Sequence, residues 1–156
     1  MSGISGSLIA ESIVREVLEG EAGRATLKVS SGSMRPRICE GDIIGIVRVP
    51  PRVLAPGDIV VFRSEEAGLV VHRLLWRNNP LGEPSHVFTK GDAVGCLDRS
   101  VSVDRVLGRV DRIVRGEDCY SPTTPLDRAR CWLQAARYGA RRWIRRFGGA
   151  APKHGQ

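Results

Sequence analysis

The chain has 156 residues, of which 42% are hydrophobic and 26% charged, with 24 Lys and Arg against 17 Asp and Glu. A chain of this length buries about 70% of its surface on folding, and the composition excludes disordered, collagen-like and disulfide-stapled proteins. The longest apolar runs, residues 43–47 and 59–62, are far shorter than the roughly 20 residues of a membrane-spanning helix. Because the N-terminus lacks the basic and apolar segments of a secretory signal, the sequence predicts a cytoplasmic protein.

The excess positive charge is confined to the C-terminal part of the chain. Residues 126–156 carry eight basic side chains and one acidic side chain, a net charge of +7, whereas residues 1–125 are neutral. A nucleic-acid-binding core needs a basic face of its own, so the net charge does not favour one here. The cysteines lack the spacing of a metal site or a C-x-x-C pair and are interpreted as buried or half-buried thiols: Cys39, Cys96, Cys119 and Cys131.

The first periodic segment is helical. Apolar pairs at 9/10, 13/14 and 17/18 recur with a spacing of four, Glu lies between them, and Gly20 and Gly23 follow. This pattern predicts a short amphipathic helix within residues 1–24.

Short β-rich runs follow, separated by turn-forming Gly, Pro and Asn residues. Because no helical period intervenes, they predict a mainly β domain over residues 25–115. The pairs Gly41-Asp42 and Gly57-Asp58 are interpreted as turns, in which Gly supplies a positive φ and Asp bonds to the backbone two residues further on. The predicted strands cover residues 25–30, 42–49, 58–63, 69–76, 86–89 and 101–114.

The C-terminal part is predicted to contain a polar linker (116–124), an amphipathic helix (125–148) and a disordered tail (149–156). Thr124 is typical of a helix N-cap, followed by Pro125 at the first helical position. Apolar residues including two Trp keep to one face of this helix, and most of its seven Arg lie elsewhere. Such a helix favours peripheral contact with a membrane, here the inner membrane. Docking of its apolar face on the β domain is the alternative, and nucleic-acid binding is disfavoured.

Three segments contain residues that could take part in catalysis. Ser33 follows the first predicted strand, and Gly32 before it allows a sharp turn that exposes the hydroxyl. A serine hydroxyl becomes a good nucleophile only with a base and an oxyanion stabiliser. His72 lies inside an apolar strand, where a semi-buried neutral imidazole could act as that base. After the next strand, Asp92 and Asp98 supply two carboxylates, either of which could orient the imidazole.

In order along the chain, four boxes resemble those of type I signal peptidases: Ser-Gly-Ser-Met-x-Pro, Gly-Asp-Ile-Val-Val-Phe, Val-His-Arg, and Lys-Gly-Asp followed six residues on by Asp-Arg. The resemblance covers about residues 25–115. Bacterial members and LexA-type repressors have Lys where this chain has His72, so the chain is more similar to the archaeal and endoplasmic-reticulum branch, which uses Ser, His and Asp. The resemblance implies a signal-peptidase-like or LexA-like β core, with a serine peptidase mechanism that needs no cofactor or metal.

The resemblance also implies a role for each matching residue. Ser33 is the implied nucleophile, His72 the general base, and Asp98 the carboxylate that orients the base. Ser31 and the Ser33 backbone N–H are the implied donors that stabilise the oxyanion, and Asp92 is a supporting carboxylate near the base. Met34 and Pro36 are implied to shape the wall of the substrate pocket.

The sequence therefore predicts a serine endopeptidase that removes a signal or leader peptide from a precursor protein. The relatives' membrane anchor has no counterpart among the predicted elements, and Ala93 replaces the Asn that usually follows Lys-Gly-Asp. The resemblance therefore indicates the catalytic mechanism more strongly than it indicates the substrate. The alternatives are a catalytically silent relative that binds peptides and, less favoured, a LexA-like self-cleaving regulator.

Overall fold

The computed structural model describes residues 23–79 and 81–147, except for the side chains of residues 138–147. These residues form an antiparallel eight-stranded sheet and one C-terminal helix, which confirms the predicted mainly β class. The predicted N-terminal helix lies outside the described residues. The strands are β1 (Arg24–Lys28), β2 (Ile43–Val47), β3 (Ile59–Ser64), β4 (Gly68–Arg77), β5 (His86–Lys90), β6 (Val101–Ser102), β7 (Val106–Arg115) and β8 (Asp118–Tyr120), and the helix is α1 (Pro125–Phe147).

The sheet has the strand order β1-β2-β7-β3-β4-β5-β6, and β8 pairs with β7. Its central strand, β3, is apolar on both faces. Successive side chains of a strand point to opposite sides of a sheet, and both alternating sets of side chains in β3 include buried apolar residues. Ile59 and Val61 belong to one buried cluster, and Val60 and Phe62 belong to another. The chain therefore builds a core on each side of β3, and β3 pairs along its length with β4, which carries His72.

Two strand boundaries differ from the prediction. The run over residues 101–114 is divided by a 3-10 turn at Val103–Arg105, because the chain leaves β5 and crosses to pair with β3. In addition, β8 forms within the segment predicted as a linker and pairs with the end of β7.

The two Gly-Asp turns form as predicted, with φ values of 92° at Gly41 and 96° at Gly57. The contact made by each Asp differs from the prediction. Each carboxylate is buried and accepts a hydrogen bond from a backbone N–H three residues earlier, not from one later in the chain. The bonds are Cys39 N to Asp42 Oδ2 at 2.8 Å and Ala55 N to Asp58 Oδ2 at 2.9 Å.

The cysteine prediction is correct for two of the four side chains. Cys131 is buried and Cys39 is half-buried, whereas Cys96 and Cys119 are exposed. All four are free thiols in the structure.

The helix α1 docks on the sheet through polar contacts. Arg128 donates a hydrogen bond to buried Asp58 at 2.9 Å, and Arg37 donates one to Asp127 at 2.7 Å. Cys131, one turn further on, is 3% exposed. Among the described residues, no helix is both long and apolar enough to cross a membrane.

The apolar side chains of α1 point away from the sheet in the part of the helix whose side chains are described. Leu126, Trp132 and Leu133 are 59%, 61% and 67% exposed. Docking of the apolar face with Arg toward water is therefore wrong for this part of the helix. Burial of Asp58 explains the difference, because a buried carboxylate needs a partner and Arg128 supplies it.

The start of α1 is held by the predicted N-cap. The Asp127 backbone N–H donates to Thr124 Oγ1 at 3.2 Å, and the Thr124 backbone N–H donates to Asp127 Oδ2 at 2.9 Å. Burial alone would raise the pKa of Asp127, but hydrogen bonds from Thr124 and Arg37 prevail and lower this pKa to about 2. The ionised carboxylate therefore stabilises the docked helix.

We expect the free energy of unfolding to fall in acid partly through Asp127. Its pKa is lower in the folded chain than the ordinary value of 3.8, so its contribution is present above about pH 4 and is lost as the pH falls toward 2. Asp127→Asn should destabilise the protein by about 1 kcal/mol at neutral pH and by less at pH 3. Urea unfolding of both proteins at pH 7 and pH 3 tests this. An equal difference at both pH values would contradict it.

Candidate active site

Ser33 lies in the loop between β1 and β2, and buried neighbours hold this loop against the core. Met34 and Ile38 are 2% and 0% exposed, and the Ile38 N–H donates to the Met34 carbonyl at 3.0 Å. Ser33 itself is half-buried and Ser31 is exposed. Their hydroxyl oxygens are 3.5 Å apart, so either can donate to the other. The structure thus brings Ser31 beside the predicted nucleophile.

His72 lies in β4 opposite Val60 of β3. Its imidazole packs edge-on against the Phe62 ring, with 6.1 Å between the ring centroids, and the residue is only 8% exposed. Alternation along β4 places it on the face that carries Val70 and Leu74, as predicted. The ring is therefore fixed by the sheet on one side and by an aromatic neighbour on the other.

Asp98 contacts the imidazole directly. Its Oδ2 atom lies 2.6 Å from His72 Nδ1 and accepts a second hydrogen bond from Thr89 Oγ1 at 2.7 Å. The Asp98 backbone N–H also donates to the Thr89 carbonyl at 3.0 Å, which fixes the carboxylate relative to β5. An acceptor at Nδ1 favours the tautomer with its proton on Nδ1, and this leaves Nε2 free to accept a proton.

Asp92 is engaged elsewhere. Both of its carboxylate oxygens accept hydrogen bonds from Arg73, at 2.8 Å from Nε and 2.6 Å from Nη2. Arg73 follows His72 in β4, so its side chain lies on the opposite face of the sheet. It also donates to the Gly57 carbonyl at 2.9 Å. Burial alone would lower the pKa of Arg73, but the bonds and charge of Asp92 outweigh burial and raise it.

Ser33 and His72 line one cavity of about 630 Å³. The segment after β5 brings them together, since the Ala93 N–H donates to the Ser33 carbonyl at 2.9 Å. A methyl group on Gly91 would lie 2.8 Å from that carbonyl oxygen and 3.0 Å from His72 Nε2. Gly91 therefore lies between the two residues, and its missing side chain allows them to approach.

The other predicted pocket residues are divided between two places. Met34 and Ser31 line the cavity of Ser33 and His72, together with Val94. Pro36 does not. It lines a separate cavity of about 510 Å³ between β4 and α1, which also includes Arg73 and Cys131.

Gly91→Ala should slow the modification of the Ser33 hydroxyl by a fluorophosphonate. The new methyl group would overlap the Ser33 carbonyl oxygen and would also lie close to His72 Nε2. A displacement of about 1 Å between reacting groups can cost about 100-fold in rate, and we expect a loss of that order. The readout is the rate at which a fluorophosphonate modifies Ser33. Gly95→Ala is the matched control, since a methyl group there meets nothing within 4 Å. Equal rates in the two variants would contradict the proposed role of Gly91.

Sequence reasoning did not single out Thr89 or Arg73, which hold the two carboxylates. Arg73 belongs to the Val-His-Arg box, directly after His72, and Thr89 stands directly before the Lys-Gly-Asp box. Both are also buried polar residues in apolar strands, at 5% and 0% exposed. The signal available from the sequence alone was a polar residue within an apolar strand, because a polar group buried there requires a partner.

One comparison with known proteins bears on this site. The family model described as Peptidase S24-like matches residues 9–80, just under half of the chain. The matched stretch contains Ser33 and His72 and ends before Asp98. No curated protein matches the chain significantly. The match supports the S24 peptidase superfamily, whose members are generally serine peptidases. The class supported is therefore a peptidase or a LexA-like relative.

Proposed function

We propose that this protein is a serine endopeptidase of the signal-peptidase type, which removes a leader or signal peptide from a precursor protein. The main support is the 2.6 Å contact between His72 and Asp98, next to the cavity that Ser33 shares with the imidazole. The S24-like match across Ser33 and His72 supports the same class of chemistry.

In the proposed mechanism, Asp98 accepts a hydrogen bond from the Nδ1–H group of His72 and holds the imidazole with Nε2 toward the cavity. The Ser33 hydroxyl leaves Ser31, turns toward Nε2 and gives up its proton as Oγ attacks the scissile carbonyl carbon. Such hydrogen bonds are often long before substrate binds. The resulting imidazolium, stabilised by Asp98, then protonates the leaving amine and an acyl-enzyme forms.

The second half of the reaction repeats these roles with water. His72 removes a proton from the water that attacks the acyl carbon, and the Ser33 oxygen leaves with that proton. During both steps, the negative oxygen needs donors placed where the charge develops. The Ser31 hydroxyl and the Ser33 backbone N–H are the proposed donors.

The lining of the cavity supports a leader peptide as the substrate class. Apolar side chains form most of its wall, and this suits the small, Ala-like residues that precede a signal-peptide cleavage site. The apolar residues are Leu27, Val29, Met34, Ile38, Ala67, Leu69, Val70, Val71 and Val94.

Covalent labelling tests the proposed nucleophile without knowledge of the precursor. A fluorophosphonate should modify Ser33 in the folded protein, as read by mass spectrometry of the proteolytic fragments, and His72→Ala should slow this modification by about 100-fold or more. Ser30→Ala, an exposed serine in the same loop, should leave labelling unchanged. Absence of labelling at Ser33, or equal labelling in His72→Ala, would refute the proposal.

Self-cleavage is the second candidate, because the S24-like match is also compatible with a LexA-like protein. It predicts that the purified chain breaks into two fragments at a rate independent of protein concentration, and that Ser33→Ala stays intact. Intact-mass measurements over time separate this activity from cleavage of another protein.

A further inference from the structure

The exposed face of α1 has no role in the proposed peptidase chemistry. Residues along a helix are rotated by about 100° each, so Trp132 and Leu133 lie about 100° and 200° around the helix from buried Cys131. Both are more than 60% exposed, and Leu126 is 59% exposed. The docked face and the apolar face of the helix therefore point in different directions.

The sequence extends this apolar face and surrounds it with positive charge. The same spacing continues through Ala140, Trp143 and Ile144. The described basic neighbours Arg130 and Arg137 are both exposed. Residues 126–156 have a net charge of +7, and their single acidic residue, Asp127, is paired with Arg37.

We propose that α1 is a membrane-binding helix, which lies in the interface of an anionic lipid bilayer while its opposite face stays docked on the β domain. An interfacial helix combines a Trp-containing apolar face, which enters the boundary between headgroups and acyl chains, with basic residues that attract anionic lipids. The two contacts are compatible because they use different faces of the helix.

The charge of the helix argues against the other occupants of this face. Two copies of the chain would bring two strongly positive segments together, and their repulsion acts over about 8–10 Å at physiological ionic strength. Nucleic acid would satisfy the arginines but would leave Trp132 and Leu133 in water. An anionic bilayer satisfies both the charge and the apolar surface.

Vesicle binding by the full chain tests the proposal. The protein should sediment with vesicles of equimolar phosphatidylcholine and phosphatidylglycerol and not with vesicles of phosphatidylcholine alone. Replacing Trp132 and Leu133 together by Ser should weaken binding by about tenfold or more. Leu81→Ser is the matched apolar control, because Leu81 is 100% exposed in a loop remote in sequence from α1, and it should bind as the wild type does.

A second pair of variants tests the electrostatic contribution to vesicle binding. Replacing Arg130 and Arg137 by Gln should weaken vesicle binding, and added salt should do the same. Replacing Arg48 and Arg99, two exposed arginines of the β domain, should have a smaller effect. Circular dichroism of each variant shows that the fold is kept.

Three outcomes would overturn the proposal: no preference for anionic vesicles, equal binding by the Trp132 and Leu133 variant, or a concentration-dependent dimer that this variant abolishes. Salt-sensitive binding to duplex DNA without vesicle binding would favour nucleic acid instead. The proposal does not depend on peptidase activity, and Ser33→Ala should bind vesicles as the wild type does. A negative result in these vesicle experiments would therefore not affect the proposed peptidase function.

Discussion

Alanine in place of Ser33 should abolish cleavage of the precursor and leave the chain folded. The hydroxyl oxygen is the only heavy atom removed, the side chain is half-buried in a loop, and its described hydrogen bond is a long one of 3.5 Å to Ser31. Loss of the nucleophile in a serine peptidase lowers the rate by on the order of 10³ or more. We therefore expect activity to vanish while the melting temperature stays within a few degrees of the wild type.

The same variant can identify the substrate. A tagged Ser33→Ala protein, purified from the cells that express it naturally, should retain uncleaved precursor because it binds but cannot acylate. Mass spectrometry of the bound protein would then reveal an N-terminal extension that is missing when the wild type is used. The control is Ser30→Ala, which should release processed product. Equal processing of the precursor by Ser33→Ala and wild type would exclude Ser33 as the nucleophile.

Sequence patterns predicted most of the sheet because residues alternate along a strand. The Gly-Asp pairs and the other Gly-, Pro- and Asn-containing turns indicated where strands begin, and the alternation in β4 assigned His72 to the face of Val70 and Leu74. Ser33 and His72 were found through motif order, a signal that spans distant parts of the chain. The break at Val103–Arg105 was missed because Val103 and Val106 continue an apolar pattern across it.

Residue patterns alone left the choice between the two carboxylates open, and only the family resemblance pointed to Asp98. Asp92 and Asp98 both lie in irregular chain after β5, where no periodicity determines the direction of a side chain. Their assignments depend on partners in other strands: Arg73 engages Asp92, and Thr89 and His72 engage Asp98. Since each partner is long-range or buried, local residue patterns do not distinguish them, and the assembled fold shows which contacts each one makes.

The polar contacts that dock α1 on the sheet were not predicted, for a similar reason. Amphipathicity predicts that an apolar stripe faces a core, but it takes no account of a buried charge elsewhere on the sheet. Asp58 is 2% exposed and lies 2.9 Å from Arg128 and 3.7 Å from Arg109. Losing the partner of a buried charge is costly, so ion pairing rather than apolar burial sets the docked face.

Asparagine in place of Asp98 should give the second large effect on catalysis. An amide presents either its oxygen or its NH₂ group to Nδ1, and the NH₂ group would favour the tautomer with its proton on Nε2. That tautomer cannot accept the Ser33 proton, and the imidazolium also loses its negative partner. In a Ser-His-Asp site the corresponding change lowers kcat on the order of 10⁴-fold, and we expect a loss of this order with KM little changed.

Two further variants show whether the loss comes from orientation of the base or from general damage to the fold. Thr89→Val removes one of the two described side-chain hydrogen bonds to Asp98 Oδ2 and keeps the bond to His72, so its rate should fall by much less. Asp92→Asn weakens the partner of Arg73, which is 5% exposed, and should lower the melting temperature more than the rate per folded molecule. The measurements are kcat, KM and thermal unfolding of each variant. If Asp92→Asn instead lost kcat in a stably folded protein while Asp98→Asn kept it, the orienting role would belong to Asp92.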